Sequence, residues 1–478
     1  MITMPALRPF RRYGLRQVHW LAVACAVAGC DSPVSSTPPD VRWAAVNRPA
    51  APLARVLIVR LERSSGAQVE YWSDGGPRLR VTSEDVGVRH DLVLTRLRPE
   101  TTYQFEVRSI ASLGEGTAHR GSFTTDPLPP GLAVLEFTTE GTPTRPLTLF
   151  EITGHADGFR GVIVVDDEGE VVWYLGDGPV GGTARRANGN FIIHRGDVGV
   201  LEVTPAGEEV ARVPQQPLPG RRSHHDAIVT PANTVLFIAY DTQEFEGRDI
   251  AGEAIWEWNP DDGSLDRRWS SWDELSPAVD WGQHSNDDDW LHANSIALGP
   301  TGNILMSFRF TDQVISIAPD FSHIEWRLGG INADVEVSGS DVFVGQHTAA
   351  ELPSVNGRRR VLLFDNGVPA RGFSRAQELE LDLEAGTATT VWEFRPTPDN
   401  FSFITSLARR MPNGNTFVAF GAGPGVLQSF GPVEAFEVDP SGNVLFRIEV
   451  SGPTVNDAFV LYRARPLTDI GGEQIVSD

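Results

Sequence analysis

The chain has 478 residues, 63 acidic and 40 basic side chains and a formal charge of −23. Its length exceeds one ordinary domain, and its negative charge argues against nucleic acid as a partner. Every basic residue is arginine, which excludes lysine chemistry such as Schiff bases and Walker-type phosphate loops, while 47 glycines and 34 prolines suit an all-β protein dense in turns.

The N-terminus reads as a targeting segment. Arg8, Arg11, Arg12 and Arg16 form a basic region, and Leu21 to Ala28 is an apolar stretch too short for a membrane span. Val27-Ala28-Gly29-Cys30 resembles a bacterial lipobox, which predicts a signal peptide over 1–29 and Cys30 as the lipidated first residue of the mature chain. Cleavage removes Cys25, so Cys30 stands alone and no intrachain disulfide is expected. The expectation is a cell-envelope lipoprotein, periplasm-facing or on the surface, meeting the membrane through its lipid. Residues 30–40, rich in Ser and Pro, form a tether.

Over 41–130, short apolar-polar runs occur at Arg55 to Leu61, Gln68 to Trp72, Leu92 to Leu94 and Tyr103 to Ile110. Leu97-Arg98-Pro99-Glu100-Thr101-Thr102-Tyr103 resembles the tyrosine corner of fibronectin type III domains, where the Tyr hydroxyl ties a strand start to nearby backbone. A small β-sandwich is therefore expected, acting as a positioning module. Pro127-Leu128-Pro129-Pro130 marks a stiff boundary.

Over 131–478 one phrase returns six times: an apolar strand, an acidic Gly-containing turn, then a second strand that often carries Trp. It reads Gly161 to Leu175, Gly199 to Val213, Ala254 to Trp269, Gln313 to Leu328, Gln377 to Phe394 and Glu434 to Val450. A single copy cannot bury its own apolar face, so six copies predict a six-bladed β-propeller with its chemistry near the axis. Between them recur turns such as Ala187-Asn188-Gly189-Asn190, Pro300-Thr301-Gly302-Asn303 and Pro412-Asn413-Gly414-Asn415. Trp173, Trp256, Trp258, Trp269, Trp326 and Trp392 lie near the hairpins and are read as packing between blades. Phe459 to Ala464 is expected to close the ring against the first blade.

Four segments stand apart from the scaffold. They are Asp289-Trp290-Leu291-His292-Ala293-Asn294-Ser295, Gly345-Gln346-His347-Thr348, Asp365-Asn366-Gly367 with Arg371, and Ser223-His224-His225-Asp226. A lone His before a strand is usually structural; several in matching positions of different blades would converge on one mouth of the axis. Asp287-Asp288-Asp289 lacks calcium-loop spacing and reads as a solvated turn. Gly421 to Gly425 lacks the strand-helix context of a nucleotide site, so neither metal nor cofactor is expected.

The DWLHANS, QHT and DNG-x-x-x-R segments, in that order and separated by the hairpins, resemble the bacterial arylsulfate sulfotransferase family over most of Leu132 to Pro466. The resemblance implies a propeller that moves a sulfuryl group from a phenolic sulfate to another phenol, without the nucleotide donor PAPS, through a sulfated His. It carries sulfate-binding and acid-base roles onto His292, His347 and Arg371, with Asn294, Asp365 and Asn366 as supporting groups. Its nucleophilic His is expected after the Pro412–Asn415 turn, where this chain has Ala419 and Phe420, and no His follows His347. Alternatives are direct transfer, a different nucleophile among His194, His224 and His225, or a non-catalytic propeller that binds a sulfated, phenolic or other anionic ligand. A quinone-dependent dehydrogenase is disfavoured by six repeats in place of eight.

Overall fold

Each of the six repeated phrases forms the outer hairpin of one antiparallel blade. The computed structural model describes residues 38–476 except 112–113, 155–157, 177, 215–221 and 453–458, so the expected signal peptide and Cys30 lie outside the described residues. Four blades have four strands, and two have a fifth strand added at the outer edge. The second strand of each outer pair is partly exposed in blades two to six, as in Glu209–Pro214 and Thr387–Phe394, and stays covered in blade one, Val171–Gly176. The first is nearly all buried, as in Gly161–Asp166 and Val433–Val438. Blades stack on both faces of such a strand, so it needs a continuous apolar run where a half-exposed strand would alternate.

The recurring Asn-Gly turns join the innermost strand of a blade to its neighbour, as Val180–Arg185 to Phe191–Arg195 and Ala293–Leu298 to Ile304–Phe308. Trp173, Trp258, Trp269 and Trp326 are buried in the cores between blades, and Trp256 and Trp392 pack against those cores. The ring closes twice. Val460–Leu467 pairs with Leu147–Gly154 as the innermost strand of blade one, and Glu136–Gly141 pairs with Val444–Ser451 at the outer edge of blade six. Both chain ends of the propeller are thereby held by a neighbour distant in sequence.

Ahead of the propeller lies an all-β module around its own core of Leu57, Val59, Val69, Tyr71, Tyr103 and Val107. The Tyr103 hydroxyl accepts from the Arg98 amide at 2.9 Å, tying the strand start to backbone five residues upstream. The runs Arg55 to Leu61 and Gln68 to Trp72, expected as separate strands, belong to one strand, Arg55–Trp72. Its first half pairs with Val41–Asn47 and its second with Thr102–Ala111, while Leu79–Leu94 runs along its other edge through both. Register shifts around Ser65 absorb the change of partner. At the far end of the chain, Gln474–Ile475 returns to pair with Leu79 and Arg80. Arg98 reaches Asp166 at 2.7 Å on blade one, so module and propeller are fastened at several points. Among the described residues no helix is long and apolar enough to cross a membrane.

Candidate active site

The innermost strands of all six blades begin at the same mouth of the axis, and a cavity of about 1030 Å³ opens there. Five histidines line it: His194, His224, His225, His292 and His347. The backbone is left-handed at His225 (φ 57°), His292 (φ 54°), Thr348 (φ 50°) and Thr405 (φ 62°), each at or near an inner-strand start of blades three to six. Non-glycine residues take this conformation at a cost, and such strain clusters where side chains must be aimed.

His292 is held by its own loop. Asp289 Oδ2 lies 2.5 Å from His292 Nδ1, and Asp289 Oδ1 accepts the His292 amide at 2.9 Å. Tyr240 donates to Asp289 at 3.1 Å, and the imidazole stacks on Phe310 with centroids 4.4 Å apart. Burial works against the charge of Asp289, yet the bond and charge of His292 hold that carboxyl below its ordinary value. The carboxylate fixes the proton on Nδ1 and leaves Nε2 to exchange a proton with whatever enters. Asp289, read from sequence as part of a solvated acidic turn, is thus the orienting partner of His292.

His347 is fixed differently. Its Nδ1 donates to Asn366 Oδ1 at 2.7 Å, because the Asn366 amide nitrogen is committed to the Ser402 and Thr405 carbonyls. Nε2 therefore carries the lone pair, which accepts a hydrogen bond from the Thr405 amide at 3.2 Å. Burial first, then the charge of Arg309, pushes the His347 pKa well below its ordinary value. It is a neutral imidazole at neutral pH.

A third chain runs from Glu253 through His224 to His225. Glu253 Oε2 is 2.9 Å from His224 Nε2, and His224 Nδ1 is 2.7 Å from His225 Nδ1. Burial, then the charge of Asp289, raises the Glu253 carboxyl well above its usual range. Burial lowers His224 to about 4, and burial with neighbouring His292 holds His225 well below its ordinary value. A protonated Glu253 then donates to His224, His224 donates to His225, and His225 is left with Nε2–H as a donor to the cavity. His225 lies edge-on to His292, centroids 4.7 Å apart.

Two arginines line the cavity, Arg222 ahead of the strand Ser223–Val229 and Arg309 just past the strand Ile304–Phe308. Arg309 Nη2 donates to the Phe403 carbonyl at 3.1 Å, its Nε is buried with no hydrogen-bond partner among the described residues, and burial depresses its pKa. Arg371 is not among the lining residues. Its guanidinium is 2.6 Å from Asp365 and also donates to the Phe373 carbonyl, while Asp365 holds Arg375 as well at 2.9 Å. Asn366 supports His347 as described. Asn294 is buried beneath the cavity, where its carbonyl accepts from Tyr462 at 2.8 Å. His194 reaches the wall with Nε2 3.3 Å from Ser223 Oγ, and its burial lowers its pKa to about 4. Ala419, where a nucleophile was expected, is fully buried in the apolar core between blades six and one.

The description of the family model that matches residues 138–463 is Arylsulfotransferase (ASST). The chain belongs to the arylsulfotransferase family. No curated protein matches this chain significantly. Among solved structures, a luciferin-regenerating enzyme is similar at 11% identity and TM-score 0.34, covering 67% of this chain and 92% of that one. A streptogramin B lyase is similar at 10% and 0.31, covering 66% and 98%. Apo AztD from Citrobacter koseri is similar at 13% and 0.27, covering 74% and 94%. Likenesses at such TM-scores carry no argument about this chain.

Arg309, Glu253 and Thr405 were not singled out from the sequence, and Asp289 was noted only within the His292 segment and as part of an acidic turn. Arg309 had a signal of its own, an arginine directly after a strand that follows a Pro-x-Gly-Asn turn. Glu253 had none, because it sits inside a repeat phrase's leading strand.

Proposed function

We propose that this protein transfers a sulfuryl group from a phenolic sulfate to a phenolic acceptor without a nucleotide donor. Arg309 binds the sulfuryl oxygens, joined by His225 Nε2–H. A guanidinium without a carboxylate partner in a closed site is suited to stabilise charge that spreads over those oxygens. His347 is the nucleophile. Its Nε2 lone pair, released from the Thr405 amide as the donor seats, forms an N–S bond while the S–O bond to the aryl group breaks, and the departing phenolate takes a proton from a doubly protonated His292 at Nε2. The acceptor phenol then gives its proton to His292, its oxygen attacks sulfur, and the N–S bond returns its electrons to His347. Asp289 and Asn366 position the two imidazoles. Phe310 and Tyr462 supply flat walls for the aryl groups.

The observation that carries this reading is the neutral, tautomer-fixed His347 beside Arg309, whose Nε is buried with no hydrogen-bond partner among the described residues. The test is incubation of purified protein with 4-nitrophenyl sulfate and phenol. Nitrophenolate should appear with wild type, and mass spectrometry of a quenched donor-only reaction should place the sulfuryl group on the His347 peptide. A modified His194 or His225 peptide in place of it would overturn the assignment of the nucleophile. Absence of turnover across a panel of phenols would leave a binding propeller for sulfated or phenolic ligands. The N-terminal module acts, on this reading, as a fibronectin type III-like spacer between a lipid on Cys30 and the propeller, placing the reaction at the cell envelope. Metabolic labelling with a clickable fatty acid, lost in Cys30→Ala, tests the anchor.

A further inference from the structure

Arg222, the second arginine of the cavity wall, has no part in the transfer step. It is exposed at the rim, just ahead of the strand Ser223–Val229, and its side chain has no hydrogen bond or ion pair among the described residues. Its backbone carbonyl accepts from the Tyr240 amide at 3.1 Å, one step beyond the pairing of Ser223 with Ala239. Arg222 and Tyr240 are therefore directly opposed across an antiparallel pair, with side chains on one face and Cβ atoms about 5 Å apart. Both line the cavity.

From Tyr240 the wall leads to the reacting groups. Its ring stacks on His224, centroids 4.0 Å apart, and its hydroxyl donates at 3.1 Å to Asp289, which holds His292. Arg222 thus starts one tyrosine side chain away from the acid-base pair. Exposure falls along the same path: Arg222 is open to solvent, Tyr240 and His292 are half-buried, and His347 is only 3% exposed. A phenol whose oxygen meets His292 Nε2 near the floor therefore has its far end toward the rim. Charge there is unbalanced. Asp197 is the one carboxylate among the described cavity-lining residues, and Arg195 holds it at 3.1 Å. The sulfuryl group of an aryl sulfate is met by Arg309, which leaves Arg222 without a partner.

We infer that Arg222 selects phenols carrying a carboxylate at the end away from the reacting oxygen, such as hydroxyaryl alkanoates. A guanidinium offers a fork of donors that matches the two carboxylate oxygens. The inference rests on the transfer reaction proposed above. In that reaction the departing phenolate and the incoming phenol meet His292 in turn, so one guanidinium serves the aryl tail of donor and acceptor alike.

The test uses 4-nitrophenyl sulfate as donor and three acceptors of one shape: 3-(4-hydroxyphenyl)propanoate, its uncharged amide, and the cationic tyramine. Wild type should favour the acid over the amide in acceptor kcat/KM by about fivefold, the worth of one exposed charge-assisted pair, with tyramine last. Raising sodium chloride to about 0.5 M should shrink that preference, because the pair is solvent-exposed. Arg222→Met should bring the acid-to-amide ratio to about one, and Arg222→Glu should place tyramine ahead of the acid. Ratios within one variant cancel any loss of folded protein. Equal use of acid and amide by wild type, or a preference that survives Arg222→Met, would overturn the inference. If no acceptor releases nitrophenolate, the transfer reading fails by itself. Calorimetric binding of 3-(4-sulfooxyphenyl)propanoate and its amide to the full chain then reads the same ratio without turnover, and equal affinities there would sink the role of Arg222 as well.

Discussion

Blades four and six are built from the same parts. Each has a Pro-x-Gly-Asn turn whose Asn is held inside, Asn303 by Ser316 and Glu351, Asn415 by Glu437. Each carries an outer hairpin buried on its leading strand. At the cavity end they diverge. Blade four presents His292 before its inner strand and Arg309 after the next, whereas blade six presents Thr405 and turns Ala419 and Phe420 into apolar cores. The repeat thus specifies a scaffold, and departures from it at one rim specify the site.

The largest break in that comparison comes from emptying blade four. His292→Ala should lower kcat/KM with 4-nitrophenyl sulfate by about 10²–10⁴-fold, the usual worth of positioned acid-base catalysis. Arg309→Met should cost about 10²–10³-fold, as loss of an oxyanion donor does. Arg371→Ala, measured in the same assay, should stay within about tenfold, because its guanidinium serves Asp365 and not the cavity. A loss equal to that of Arg309→Met would return Arg371 to the site.

Adding to blade six should fail. Ala419→His forces an imidazole into a closed core and should lower unfolding free energy by about 1–3 kcal/mol in urea, with no gain in turnover.

Blades two, three and five carry the buried neutral imidazoles, and these make a pH test. His194 and His224 titrate near 4 in the folded chain, and His225 and His347 are also depressed, against about 6.5 when unfolded. Between those values the unfolded state binds more protons, so their contribution is intact above about pH 6.5 and is lost as pH falls toward about 4. Melting temperature should drop across that window, and less steeply in His194→Gln.

The smallest effect tests the relay behind blade three. If Glu253 is protonated, Glu253→Gln preserves each hydrogen-bond direction and turnover should stay within about threefold, while Glu253→Ala falls further. A large loss in Glu253→Gln would mean an ionised carboxylate and a reversed tautomer chain.

The blades were legible because each strand's environment is written in its own apolar period and turn residues. His292, His347 and the His224-His225 pair were legible as well, since they interrupt that pattern just before inner strands. Arg371 was not placed correctly, because whether an arginine reaches a cavity or a nearby carboxylate depends on Asp365 and Phe373 in the folded loop. Asp289 looked like any acid in an acidic turn until Tyr240 and His292 closed on it.

By itself the sequence determined six outer hairpins, their packing faces and the residues at which the repeat is broken, because strand period, turn chemistry and apolar runs are local properties. Only the tertiary structure decided which cations stay unpaired, which nitrogen of each histidine holds its proton and which arginines face the cavity. Those depend on partners dozens to hundreds of residues away: Glu253 for His224, Asn366 for His347, Asp226 for Arg463. Ring closure brings them together, and burial there makes each pairing matter far more than it would in water.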